Sequence, residues 1–177
     1  MPELSEMKRP SQLWKELAAE RRVMAAEAFW RDENAFAEQA EAIVLIAQRI
    51  KFRPKSVQAL PVEKKARHLM ALPAVSEGVA ARLLVSYHLT HQRPMMGAFL
   101  DALGIAHEDG MIADEELDAP DAAKLSAAAQ ALTGSHAETD VSLYFSTLLW
   151  QDPETWGGLA DLPLMQPSTA AAAAPRA

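Results

Sequence analysis

Apolar residues return every three or four positions along most of the chain, the repeat of helices that each bury one stripe. From Ser11, which follows Pro10 and is placed to cap a helix, the run SQLWKELAAERRVMAAEAFWRDE aligns Leu13, Leu17, Met24 and Ala28. Trp14, Ala18, Ala25 and Phe29 lie beside them and widen the stripe. A second helix over residues 34–52 repeats Phe36, Ala40, Ile43, Ala47 and Ile50, while Val44, Leu45 and Ile46 fill its middle on all sides. That pattern makes it the helix expected to be most buried. It should stop before Pro54, because the residue before a proline leaves helical geometry and proline offers no amide donor.

Proline and glycine punctuate the chain beyond residue 54. Leu60-Pro61 and Leu72-Pro73 precede helices over 62–71 and 76–91, the latter turning Val79, Leu83, Leu84 and Tyr87 inward. Pro94 opens PMMGAFLDALG, which Gly104 should terminate. HEDGMIADEELDAP then reads as an acidic, turn-rich connection, before helices over 121–133, with Leu125, Ala128, Ala129 and Leu132, and 138–151, with Val141, Tyr144, Phe145 and Leu148. No strand pattern rivals these, and PLMQPSTAAAAAPRA has no rhythm. The expectation is an all-α, single-domain bundle of about seven helices around the helix of 34–52. Its limits are a flexible N-terminus over 1–9, the domain over 10–160, and a disordered Ala/Pro-rich tail over 161–177.

Composition narrows the chemistry. The 177 residues are 50% hydrophobic, enough for one core that buries roughly 70% of the unfolded surface. With no cysteine, disulfides, zinc-thiolate sites and thiol nucleophiles are excluded. MPELSEMKRP lacks a secretory apolar segment and AIVLIA is too short to span a bilayer, so a cytoplasmic protein without membrane partners is expected. The net charge of −7 is uneven: residues 1–93 carry 15 Lys and Arg against 11 Asp and Glu, and residues 94–177 carry 2 against 13. Either the basic half meets an anionic partner, or the two halves attract each other within the fold.

Leu69 to Leu84, LMALPAVSEGVAARLL, raises a nucleic-acid reading. Within residues 62–91 it resembles the helix-hairpin-helix module of DNA-repair and replication proteins, whose hairpin usually reads L-P-G-V-G. The resemblance implies two helices whose junction presents backbone amides to a phosphate. Here Ala74 and Ser76 stand at the glycine positions and Glu77 adds negative charge at the same helix end, so the hairpin is expected without its phosphate cradle. Next to it Arg49, Lys51, Arg53, Lys55, Lys64, Lys65 and Arg67 cluster with Glu63 as the one acid and Phe52 as a stacking surface. Such a cluster suits a nucleic-acid backbone or an acidic protein. It also suits a solvated rim neutralised by the acidic half.

Other candidates are sparser. His88 and His91 share a helix face, and His68 or His107 would have to complete a metal site; no H-E-x-x-H or paired E-x-x-H accompanies them. IAHEDGMIADEE, Ile105 to Glu116, resembles a calcium-binding EF-hand loop, but Ile105 and His107 occupy its first and third ligand positions, so an Asp-Gly turn is expected. No G-x-S-x-G or G-x-x-x-x-G-K occurs. Glu38 and Glu41 fit a solvated face. Tyr144, Trp150 and Trp156 gather near the C-terminal end, where they can anchor a partner or seal the core. The leading expectation is a non-catalytic helical interaction or structural protein with no cofactor and another protein as its partner. The alternatives are a nucleic-acid-binding module using the cations of 49–67 and a metal-dependent enzyme using His88 and His91.

Overall fold

The long first helical pattern is cut in two. The computed structural model describes residues 7–166, and in it α1 (Pro10–Glu16) is separated from α2 (Ala19–Arg31) by Leu17 and Ala18 in extended conformation. Neither residue is a helix breaker, so packing decides: α1 lies against α6 (Glu77–His91) and α9 (Glu138–Gln151), whereas α2 lies against α5 (Val62–Met70) and α6. The remaining elements are α3 (Phe36–Ile50), α4 (Pro54–Gln58), α7 (Arg93–Leu103), β1 (His107–Glu108), β2 (Met111–Ile112), α8 (Ala122–Ser135) and α10 (Pro153–Trp156). Two 3-10 turns, Gly157–Asp161 and Pro163–Met165, complete the described chain.

The described residues thus form an all-α domain of ten α-helices. The three beyond the expected seven come from the break at Leu17 and from two short proline-started turns, α4 and α10. Gly104, at φ 69°, ends α7 in the left-handed region as its place in the pattern predicts.

The centre of the domain is α6, not α3. On α3 only Ala42, Ile46 and Ala47 are buried, while Phe36 is 76% and Val44 46% exposed. An apolar run all round a helix marks it as buried only if neighbours cover every side, and α3 packs on α4, α5 and α6 as an edge helix. By contrast α6 buries Val79, Ala80, Leu83, Leu84, Ser86, Tyr87 and His88 and touches α1, α2, α3, α7 and α9.

Two apolar clusters meet at α6 and α9. One gathers α1, α2, α3, α5 and α6 around Phe29, Ile46, Leu69 and Leu83. The other gathers α7, α8, α9 and α10 around Phe99, Leu125, Phe145 and Trp156. Leu143 of α9 belongs to the first cluster and Tyr144 beside it to the second, so α9 seals both.

Both chain ends depart from expectation. Residues 161–166 do not belong to an irregular tail: Leu162 is buried, and Leu164 and Met165 pack against the second cluster. These three apolar anchors outweigh the proline-rich composition; residues 167–177 lie outside the described residues. At the other end Met7 packs on the same cluster and Lys8 pairs with Glu16 at 2.6 Å, so residues 7–9 are placed, while 1–6 lie outside the described residues.

The acidic connection holds a minimal hairpin instead of an unpaired turn. His107 pairs with Ile112 and Glu108 with Met111 across Asp109-Gly110, whose φ values of 50° and 86° belong to the mirror-image turn that suits a right-twisted hairpin. Strands of two residues are too short for an alternating pattern to show. A Cβ on Gly110 would come within 2.9 Å of Met96 Cβ and 3.1 Å of the Arg93 carbonyl oxygen. Gly110→Ala should therefore cost about 1–3 kcal/mol of stability, read as a lower urea midpoint with unchanged slope. A midpoint equal to wild type would mean that the hairpin lifts off α7 freely.

Candidate partner-binding surface

The seven cations foreseen in the sequence are placed by the end of α3, by α4 and by the outer face of α5. Helix α3 stops when Lys51 takes φ 57°, which lets the Phe52 amide donate back to the Ala47 carbonyl at 3.0 Å. The chain then leaves through Arg53 in extended conformation, and Pro54 starts α4. Arg49, Lys51, Arg53 and Lys55 are all exposed along this turn, and Lys64 and Arg67 are exposed on α5. Lys65 is half-buried: its ammonium lies 5.0 Å over the Trp30 ring and donates to the Gln58 carbonyl at 3.4 Å, and burial lowers its pKa.

None of these seven forms an ion pair with a described carboxylate. Five cations elsewhere do: Lys8 with Glu16, Arg21 with Asp140, Arg31 with Glu27 and Glu63, Arg82 with Asp32, and Arg93 with Asp109; Arg9, Lys15, Arg22 and Lys124, scattered from the start of α1 to α8, pair with no described carboxylate either. Glu63, the one acid within the cluster, turns to Arg31 at 3.7 Å. The acidic half therefore does not neutralise this rim among the described residues.

Large apolar groups share the same edge. Phe36, Ala40 and Val44 are exposed at four-residue steps along α3, and Phe52 is 52% exposed at its end. The sequence pattern assigns Phe36 and Val44 to the core; they are instead the outer flank of an edge helix.

The start of α6 is already engaged. The Ser76 hydroxyl accepts from the Val79 amide at 3.2 Å, and the Glu77 carboxylate accepts from the Ser11 amide at 3.0 Å and from the Ser11 hydroxyl. The end of α6 that a phosphate would approach thus ties down α1 instead.

The two histidines do not converge. His88 is buried and its Nε2 lies 3.1 Å from the Thr147 hydroxyl, while His91 is exposed beside the Tyr87 ring at 5.5 Å. No group of three potential metal ligands is present among the described residues. The Asp109 carboxylate faces Arg93 at 3.6 Å, and His107 accepts from the Gly110 amide at 3.1 Å and donates to Asp101 at 2.7 Å, so the donors of the EF-hand-like loop do not turn to one centre. Of the three C-terminal aromatics, Tyr144 and Trp156 are core residues around Phe99, with ring centroids 5.8 Å from it in each case. Their place is set by the apolar cluster; Trp150, 41% exposed, alone of the three faces outward.

Two polar clusters had no signature in the sequence. Arg21 donates twice to Asp140, at 2.8 and 3.1 Å, Tyr87 donates to the same carboxylate at 3.2 Å, and Gln92 donates to the Tyr87 oxygen at 3.2 Å. Burial disfavours the Asp140 anion, but the hydrogen bonds and charge of Arg21 outweigh it and hold the carboxyl below its ordinary value; Arg21 is raised in turn, chiefly by that hydrogen bond. Asp32 accepts from Ser86 at 2.7 Å and pairs with Arg82 at 2.9 Å, and these partners likewise overcome burial and lower its pKa. Both clusters join separate helices and fix their relative placement.

A shallow groove of about 820 Å³ runs between the α1–α2 junction, α9 and the last 3-10 turns, lined by Leu13, Leu17, Leu143 and Leu149 with Arg21 at its wall. No helix among the described residues is long and apolar enough to cross a membrane. Comparison with protein-family models, curated proteins and solved structures finds no match to this chain.

Proposed function

We propose that this is a non-catalytic cytoplasmic binding protein whose α3–α5 edge docks an acidic protein partner. One observation carries the reading: seven cations within residues 49–67 without a described acidic partner, in a chain of net charge −7 in which five cations elsewhere are ion-paired. Acidic chains are attracted to such an edge before contact and lose fewer hydrating waters there than a buried ion pair would. Phe36, Val44 and Phe52 favour a protein over a nucleic acid, because they offer apolar anchors beside the charge. The engagement of Ser76 and Glu77 with the chain's own amides points the same way.

The test is fluorescence anisotropy of a labelled poly-glutamate peptide, with labelled single- and double-stranded DNA and RNA alongside. Peptide binding should weaken with salt and fall by about 10–100-fold in Arg53→Glu/Lys64→Glu/Arg67→Glu, given about 0.2–1 kcal/mol per exposed pair and added repulsion. Tighter, salt-sensitive binding of a nucleic acid than of the peptide would replace this reading by the nucleic-acid one; no binding of either in low salt would end both.

A further inference from the structure

Resting on the reading of the α3–α5 edge as an acid-binding surface, we propose that its partner is a second copy of this chain, which docks the acidic segment of residues 108–121 onto it. That segment holds seven carboxylates and no lysine or arginine, and every one of the seven is exposed. Among the described residues only Asp109 of the seven has a cation, Arg93 at 3.6 Å. The chain therefore carries one segment with seven cations, six of them exposed, and one with seven exposed carboxylates, and no ion pair joins them within one molecule among the described residues.

The fold explains why they do not meet in one copy. The hairpin rests on α7 in the second apolar cluster, while α3 packs on α4, α5 and α6, and α5 on α2, around the first. Charge complementarity that is left open within the molecule is available between molecules. Each segment also shows apolar surface beside its charge: Met111, 47% exposed, at the hairpin, and Phe36, Val44 and Phe52 at the edge. Close approach then desolvates apolar groups along with the ion pairs. The hairpin end of the segment, which carries Glu108 and Asp109, is held in place by the Gly110 amide donating to His107 and by Arg93 donating to the Asp109 carbonyl at 3.1 Å.

Such a contact joins different patches on the two copies, so it propagates head to tail or closes into a ring. Salt weakens it, because exposed charges are screened over about 10 Å at 0.1 M ionic strength.

Sedimentation velocity of the full chain, over a concentration series in low and in high salt, reads the contact directly. The wild-type chain should show a weight-average mass that rises with concentration in low salt and returns to that of the monomer in high salt. The edge variant Arg53→Glu/Lys64→Glu/Arg67→Glu and the acidic-segment variant Asp114→Lys/Glu115→Lys/Glu116→Lys should each be monomeric at every concentration. Mixed together they should form a heterodimer, because the first keeps the acidic segment and the second keeps the basic edge; that recovery separates a lost contact from a lost fold. Two variants that stay monomeric on mixing overturn the proposal. A wild-type monomer at all concentrations in low salt overturns it as well, and poly-glutamate binding by the same sample then shows whether the edge still takes acidic chains or whether the acid-binding reading has failed too.

Discussion

Phe99→Ala should destabilise the domain by about 3–5 kcal/mol, a large share of what holds a domain of this size together. Phe99 is fully buried and its ring centroid lies 4.9 Å from that of Phe145 and 5.8 Å from those of Tyr144 and Trp156. Truncation removes apolar area from the core and also the edge and tilted ring contacts that such a cluster makes. The cavity cannot easily close, since the rings around it come from α9 and α10, whose placement is fixed by other contacts: Trp156 comes just after the turn at Asp152, which caps α10 through the Thr155 amide at 3.1 Å. Urea unfolding should give a lower midpoint with the slope unchanged. A loss below about 1.5 kcal/mol would mean that the second cluster repacks around the deletion.

The same cluster shows what local pattern conveys. Leu125, Ala128, Ala129 and Leu132 on α8, and Val141, Tyr144, Phe145 and Leu148 on α9, are buried as their spacing requires, because a helix facing one neighbour layer writes its stripe into its own sequence. The Asp109-Gly110 turn was equally legible, since few residues adopt two left-handed conformations in succession. Burial of a whole helix is a different matter. It depends on how many neighbours arrive, and α3 with its apolar middle ends at an edge while α6, whose pattern is less distinctive, takes the centre. The cations of 49–67 were visible as a cluster, yet their lack of acidic partners was not, since ion pairing joins residues that sequence order does not bring together. The pair Arg21 and Asp140 makes the point: 119 positions separate them, and no spacing rule links them. His88 and His91 mislead for the related reason that sharing a helix face says nothing of what covers it; α9 reaches the first and leaves the second exposed.

Between near-neutral and mildly acidic pH, stability should fall by about 3 kcal/mol through His88 alone. The Thr147 hydroxyl donates its hydrogen to the Leu143 carbonyl at 2.9 Å, so toward His88 it can only accept, and the imidazole proton sits on Nε2. Nδ1 is then a bare lone pair, buried without a partner among the described residues, and a second proton there would bury a charge with no hydrogen-bond acceptor. Burial accordingly lowers the His88 pKa from 6.5 to about 4, against a weaker opposing pull from Asp140. Tyr87 and Tyr144 are the other titratable rings packed on it, and burial raises Tyr144 so that it stays neutral throughout this range. In the unfolded chain the imidazole takes up its proton near 6.5, and in the folded chain only near 4. The unfolded state therefore binds more protons across that window, and stability drops as pH falls through it, with no further contribution from this group below about 4. Asp32 and Asp140, both lowered, add their losses in stronger acid, as pH falls from the ordinary carboxylate value toward their own. His88→Gln keeps an N–H for Thr147 and cannot titrate. Urea midpoints measured across pH should decline for the wild type between 6.5 and 4 and run nearly level for the variant, even if the variant begins lower. Equal slopes in the two proteins would place the acid sensitivity in groups other than this imidazole.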